Sequence, residues 1–519
     1  MHREPSQADV IQLLMDPATH AGAPVERIDT HASILFLAGD RAFKLKRAVR
    51  YDYLDFSTVE RRRRFCDAEL RINSRLAPAL YRRVIPVTRT TAGVLALGGE
   101  GTAVDWVVEM TRFDQDALFD RLAAAGRLEL ALMVPLAEEL ASFHASCGVR
   151  DEFGGEQGIA RVIEGNTAGF RQFGGACFGA AAGDALIALS RTSWRASAAL
   201  LERRRRAGYV RECHGDLHLG NIVLWEGRPT LFDAIEFNDD IACIDVMYDL
   251  AFLLMDLWHR RLPVHANRVL NTYLAETRDI DGLGALPLFL SCRAAIRAKT
   301  TATAARLQAP GAQHGMQRRA QEYVELAARL LQPPAPVIVA IGGLSGSGKS
   351  TVARALAPFL GAVPGAVVLR SDEVRKRLWG ASPLTRLGPA AYTPEMSARV
   401  YEALAGDVAA VVAAGHSAIV DAVFARADDR LAIERAARAA GMACAALWLD
   451  APEAVLVERV RQRGPDASDA DMDIVRMQCA QSAGDVSWPC VDAAADVDVV
   501  VARAQALLQA QAVALAPAA

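Results

Sequence analysis

The sequence has little that would suit a secreted scaffold or a zinc module. Its nine cysteines are scattered over 519 residues, with no C-x-x-C pair and no zinc-like Cys/His spacing. That excludes a disulfide framework and predicts reduced thiols in a cytoplasmic protein. No run of 18 uninterrupted apolar residues occurs. The Ala-rich tail at 499–519 is broken by Arg503 and three glutamines, so it reads as a closing amphipathic helix and no membrane span is expected. The first nine residues are acidic and polar where a signal peptide needs an apolar stretch. Charge of one sign is also missing: 58 Lys+Arg against 61 Asp+Glu leave a net charge of -3, which gives no general reason to expect a nucleic-acid partner. Internal repeats are absent.

What is present is length and apolar content. At 519 residues, 52% of them hydrophobic, the chain exceeds one ordinary core and predicts two or three domains. The clearest boundary is Gln332-Pro333-Pro334-Ala335-Pro336, because clustered prolines favour an extended spacer. The expected organisation is a domain over 1–332, a proline linker at 333–336 and a domain over 337–519. The first divides into a small lobe at about 25–110, strand-rich with one helix at 59–76, and a mainly helical large lobe at about 111–330. After the prolines, apolar strands at 337–341, 367–369, 418–420 and 443–449 alternate with helices, which predicts a doubly wound α/β domain.

Two sets of phosphate-handling residues lie about 130 residues apart. The first reads His214-Gly215-Asp216-Leu217-His218-Leu219-Gly220-Asn221, followed by Asp233. Phosphoryl transfer of the kinase type needs a carboxylate to accept a hydroxyl proton, an amide oxygen for a metal ion, and a second carboxylate for the metal bridging the phosphates. Asp216, Asn221 and Asp233 supply these in that order. Upstream, Lys44 and Lys46 share one face of a strand at 41–46, with Lys44 preferred for the phosphates and Glu69 on the next helix as its partner. His218 reads as a loop brace. The arginine runs at 61–64 and 203–206 read as solvated helix faces.

This stretch resembles the aminoglycoside phosphotransferase family, a small-molecule branch of the protein-kinase-like fold, over roughly residues 25–300. The resemblance rests on the H-G-D-L-H-x-x-N string, Leu231-Phe232-Asp233, Tyr248-Asp249-Leu250-Ala251 and Phe143-His144. It implies a bilobal fold, ATP with Mg2+ as cofactors, Asp216 as base, Asn221 and Asp233 as metal ligands, and Asp249 as a brace for the catalytic loop. It also implies that Asp105-Trp106-Val107-Val108-Glu109-Met110 is the hinge that carries adenine. One feature departs from the family: the strand pair at 31–46 has Gly39 alone where a glycine-rich turn usually covers the phosphates.

The second set is Gly343-Leu344-Ser345-Gly346-Ser347-Gly348-Lys349-Ser350-Thr351, placed after an apolar strand and opening a helix. That context defines a Walker A loop. Its backbone N–H groups converge on phosphates, Lys349 reaches the terminal groups and Ser350 offers its hydroxyl to magnesium. Asp372 and Arg375 then form a D-x-x-R on a helix opening, a carboxylate for an acceptor hydroxyl beside an orienting guanidinium. Asp421 ends a Walker-B-like strand, followed by Ala422 where a hydrolytic ATPase usually has glutamate. Arg459, Arg461 and Arg463, with the polar stretch 464–471, suit a mobile cationic lid. Residues 337–500 resemble P-loop small-molecule kinases such as gluconate kinase, chloramphenicol phosphotransferase and the kinase half of polynucleotide kinases. That likeness places Arg426 and Arg430 near the acceptor pocket.

The sequence therefore predicts a bifunctional ATP-dependent phosphotransferase acting on hydroxyls of small molecules. Two alternatives stay open: a first domain that only binds or regulates, and a polynucleotide 5′-hydroxyl kinase.

Overall fold

The computed structural model describes residues 6–51, 53–306, 310–464, 466–481, 485–511 and 513, without the side chains at 174–176 and 310–312. The chain forms two compact units, Met1–Ile159 with Glu202–Leu253, and Ala160–Leu201 with Leu254–Ala519. The proline stretch has no regular secondary structure, and both of its flanks belong to the second unit.

The first unit is organised by an antiparallel sheet. Its strands are β1 (Val25–Asp29), β2 (Ser33–Ala38), β3 (Arg41–Lys46), β4 (Tyr81–Arg89), β5 (Leu95–Leu97) and β6 (Thr102–Thr111), in the order β1-β2-β3-β6-β4-β5. Alternation along β3 decides what each face does. Phe43 and Leu45 point into a core with Ile34, Phe36, Val10 and Leu14. Each such buried side chain contributes roughly 1.5–3 kcal/mol. Ala42 belongs to a second core containing Cys66 of the helix Val59–Leu76. Lys44 and Lys46 share the parity of Ala42, so both face that helix. The helix opens at Thr58, whose side chain accepts from the Arg61 N–H, and its inner stripe carries Arg62, Glu69 and Asn73. A hairpin of β7 (Ile222–Trp225) and β8 (Arg228–Leu231) separates the H-G-D string from Asp233. This is a protein-kinase-like arrangement.

The second unit contains a parallel sheet of β9 (Ile338–Gly343), β10 (Val367–Arg370), β11 (Ala418–Asp421), β12 (Cys444–Asp450) and β13 (Cys490–Asp492). The order is β10-β11-β9-β12-β13, with β9 in the centre and all six of its residues buried. An unbroken apolar run is what a strand covered on both faces requires. The chain leaves β9 for the edge strand β10, returns to β11 and crosses to β12. The carboxyl ends of these strands are where a doubly wound sheet presents its crevice. β13 was not expected, being three residues long with only Val491 buried. The tail forms the expected helix over Val497–Ala510, and residues 512 and 514–519 of it lie outside the described residues.

All nine cysteines are free thiols. Among the described residues, no helix is long and apolar enough to cross a membrane.

Candidate functional site

In the first unit the predicted residues converge. Lys44 Nζ donates to Glu69 Oε1 at 2.7 Å and also bonds Asp233. Lys46 Nζ donates to Glu69 Oε2 at 2.7 Å and also bonds Glu236. Two ammonium groups thus meet three carboxylates, leaving one negative charge in excess, which suits a divalent cation. Asn221 Nδ2 donates to Asp216 at 3.1 Å and to its carbonyl at 2.9 Å, which leaves the amide oxygen as the atom for a metal ion. Asp249 accepts from the N–H groups of His214 and Gly215 at 3.0 and 2.9 Å, so it does brace the loop. His218 accepts from the Gly220 N–H at 3.0 Å, as a loop brace should, and its other ring nitrogen lies 3.5 Å from Asp216.

Three contributors escaped the sequence reading. Asp233 has φ 62, a left-handed conformation. Its N–H donates to the Tyr81 hydroxyl at 3.2 Å, and the next N–H, of Ala234, donates to Asn73 at 2.8 Å. Glu236 is the third. Tyr81 and Asn73 act from distant elements, so no local motif announces them, whereas Glu236 lies three residues after Asp233 and shows its role only through its bond to Lys46.

The electrostatics follow from burial and pairing. Burial opposes the Lys44 ammonium, but Asp233 and Glu69 outweigh it and hold its pKa well above the usual value. Burial likewise opposes the Glu69 carboxylate, and Lys44 and Lys46 overcome it, bringing the pKa down to about 2. Burial pushes Glu236 up, against Lys46. A carboxylate whose folded pKa is depressed stabilises fully above its unfolded value and loses that contribution as pH falls through the folded one. Glu69→Gln is therefore expected to lower the urea midpoint at pH 6 and to matter progressively less between about pH 4.5 and about 2. An equal loss at both ends of that window would refute the assigned pairing.

Two expectations for this unit need correction. The segment 105–110 is the strand its apolar pattern predicts, the middle of β6, but it is no hinge: residues 107–110 pair with β3 on one side and β4 on the other. Their backbone groups are therefore spent within the sheet, and Asp105, buried, is bonded through its carboxylate to Arg62 at 2.6 Å. The arginine runs are also not uniformly solvated. Arg62 is buried on Asp105, and Arg204 is buried on Asp245 with two bonds of 2.8 Å.

In the second unit one cleft of about 1480 Å³ is lined by the Walker loop from Ser345 to Thr351, together with Asp372, Arg375 and Asp421. Gly343, Gly346 and Gly348 all have positive φ, and a Cβ on Gly346 would lie 2.5 Å from the Leu456 carbonyl oxygen. Lys349 Nζ donates to the Leu344 carbonyl at 3.0 Å, and Ser350 Oγ donates to Asp421 at 2.5 Å. The Ser347 hydroxyl is buried without a hydrogen-bond partner, a vacancy that a phosphate oxygen would fill. These residues fit a nucleotide phosphate, and Ser350 and Asp421 are the groups that would hold a magnesium ion. Burial lowers the Lys349 pKa against the pull of Asp421 and Asp372, and burial raises that of Asp372.

Among the predicted acceptor-side cations, Arg375, Arg426, Arg459 and Arg463 all line the cleft. Arg375 stacks over Tyr392 at 4.8 Å and donates to the Ala391 carbonyl at 2.7 Å. Arg459 spends both terminal nitrogens on backbone carbonyls, of Ala493 at 2.8 Å and of Ala495 at 3.4 Å. Two others depart from expectation. Arg430 is buried and donates to backbone carbonyls of Phe424, Ala425 and Asp485, a structural role. Arg461 points to solvent and pairs with Glu458 at 2.7 Å, because residues two positions apart on a helix lie about 200° apart around its axis and face opposite sides.

The segment 464–471, whose residue 465 lies outside the described residues, is acidic where it docks. Asp466 bonds Arg370 at 2.7 Å, Asp469 bonds Lys376 and the Tyr392 hydroxyl at 2.5 Å each, and Asp471 bonds Arg386 at 2.6 Å. It is an acid strap rather than a carrier of cations.

The chain thus carries two different arrangements, a kinase-like lobe with the Lys44–Glu69–Asp233 cluster and a parallel sheet with a Walker loop at the end of its central strand. Residues 337–483 match the family described as an AAA domain. An uncharacterized protein of Mycobacterium tuberculosis (strain ATCC 25618 / H37Rv), Rv2004c, is 28% identical over 467 residues, spanning 88% of this chain and 89% of that protein. Among solved structures, a gluconokinase from Sinorhizobium meliloti 1021 is similar at 22% identity, covering 34% of this chain and 94% of that one, with a TM-score of 0.25. A choline/ethanolamine kinase family protein from Mesorhizobium loti is similar at 13% identity, covering 63% and 98%, with a TM-score of 0.35.

Proposed function

We propose that this chain is a bifunctional ATP-dependent phosphotransferase, with a kinase-like domain over 1–332 and a P-loop kinase domain over 337–519. The observation that carries the reading is that each set pairs a phosphate-facing lysine and metal-binding groups with a further carboxylate suited to an acceptor hydroxyl. In the first, Lys44 would hold phosphates, Asn221 and Asp233 would hold magnesium, and Asp216 would accept the hydroxyl proton. In the second, Lys349 and the Walker backbone would hold phosphates, Ser350 would hold magnesium beside Asp421, and Asp372 would act as base. Arg375, Arg426, Arg459 and Arg463 supply positive charge on the acceptor side. ATP, when bound, supplies the phosphoryl group. The residues themselves orient it, neutralise charge and move one proton. The acceptors are small hydroxyl compounds, and a cytoplasmic location agrees with the nine free thiols.

A second reading has one observation in its favour. β2 ends at Ala38 and β3 begins at Arg41, so the turn is two residues long and too short to fold over phosphates. On that reading the first domain binds or regulates, and only the P-loop domain turns over.

Asp216→Asn and Lys349→Ala discriminate, with ADP release measured across a panel of hydroxyl metabolites. Each substitution is expected to abolish turnover with a different acceptor, by roughly 10²-fold or more. If Asp216→Asn leaves all turnover intact while Lys349→Ala removes it, the first domain is no enzyme.

A further inference from the structure

β10 is an edge strand that pairs only with β11. Its outer N–H and C=O groups need partners. The Val368 N–H, with the carbonyls of Ala366 and Pro364 just before the strand, finds them on the helix Pro263–Thr277, which precedes the proline stretch in sequence and lies in the same compact unit. Asn271 accepts from the Val368 N–H at 2.7 Å and donates to the Ala366 carbonyl at 3.2 Å. A strand peptide opposite Val367 would make that pair of bonds, so the side-chain amide stands in for a sixth strand. Asn267, one turn earlier and buried, donates to the carbonyls of Ala366 at 3.0 Å and Pro364 at 3.1 Å. Asn271 Nδ2 also reaches Asn267 Oδ1 at 3.0 Å, which ties the two amides together.

The approach is built into the backbone. Gly365 has φ +112, and a Cβ there would sit 2.9 Å from Asn267 Nδ2. A second tie runs in parallel. Arg278 at the end of the same helix bonds Asp407 at 2.6 Å, and Asp407 also holds Arg377 at 3.1 Å on the helix Ser371–Trp379. Both ties end on the segment that carries Arg370 and Asp372. Arg370 in turn reaches Asp421 at 3.4 Å, the partner of Ser350.

We propose that Asn267 and Asn271 are positioning residues for the P-loop site. The helix Pro263–Thr277 fixes the register of β10, and with it the placement of Asp372 against the Walker loop. The P-loop kinase is then complete only with a helix from the preceding domain. This rests on the P-loop kinase reading above.

The test uses the full chain in an Asp216→Asn background, so that only Lys349-dependent turnover is counted. Asn271→Ala, Asn267→Ala and the double variant are compared by hydrogen exchange and steady-state kinetics. The Val368 amide is expected to exchange at least about tenfold faster while β9 keeps its protection. The turnover number is expected to fall about tenfold, with Mg-ATP affinity within about twofold. Asn271→Asp, which keeps the acceptor for Val368 but loses the donor, should fall between.

Faster exchange at Val368 with unchanged turnover would overturn the proposal, leaving the helix a mere cover for a sheet edge. Unchanged exchange would overturn it too. So would loss of protection across the whole sheet in the single variants, which would make the asparagines folding elements. A parent chain without Lys349-dependent turnover would instead fail the kinase reading, a result visible before any asparagine is changed.

Discussion

Asp372→Asn is expected to lower phosphoryl transfer at the P-loop site by roughly 10²–10⁴-fold, the range set by loss of a general base. Mg-ATP affinity should stay within about twofold. The residue occupies the first turn of the helix Ser371–Trp379 and lines the cleft with Lys349. Asparagine keeps the size and the hydrogen-bonding oxygen but cannot accept the proton. Burial raises the Asp372 pKa, against Arg370. A base works only when deprotonated, so kcat/KM should fall as pH drops through a pKa raised above that of an ordinary aspartate. The residual rate of the asparagine variant should lack that acid limb. Calorimetry for nucleotide and a pH–rate profile for transfer separate the two effects. Undiminished turnover in the variant would remove Asp372 from the chemistry and leave it a structural acid.

Such a residue was legible because its function demands a local pattern. A phosphate-binding loop needs glycines at positive φ, so Gly346 and Gly348 reveal themselves by spacing alone. A lysine strand needs period 2, which placed Lys44 and Lys46 on the face that meets Glu69. The strand β3 and the helix Val59–Leu76 were likewise readable from periodicity, and β9 from its unbroken apolar run. What stayed hidden depends on contacts between distant elements. Tyr81 and Asn73 hold the backbone at 233–234 from more than 150 residues away. Nothing local distinguishes them from any buried tyrosine or helical asparagine. Asn267 and Asn271 read as an ordinary helix face until the sheet edge beside them is seen. The segment 105–110 misled for a related reason. An apolar run flanked by acids fits a strand interior as well as a hinge, and only its pairing on both sides decides.

The arginine run at 203–206 gives the sharpest case, and the largest expected effect on stability. Arg204 is wholly buried, donates through Nε and a terminal nitrogen to both oxygens of Asp245 at 2.8 Å, and stacks over Tyr209 at 4.1 Å. Asp245 also accepts from the Met247 N–H at 2.9 Å, at the start of the helix Val246–His259. Replacing Arg204 with methionine keeps the volume but leaves that carboxylate buried with its ionic partner gone. Breaking a buried pair in this way costs about 3–5 kcal/mol. Arg206, with 72% of its side chain exposed and one contact to Glu202, is expected to change stability by less than about 0.5 kcal/mol when replaced by alanine. Arg204→Met combined with Asp245→Leu should recover much of the loss, since the penalty belongs to the unpaired charge and not to the missing attraction. Urea unfolding of the three variants, compared by midpoint, tests the ordering. An Arg204→Met chain no less stable than Arg206→Ala would mean the buried guanidinium contributes nothing, and the run would revert to a solvated face.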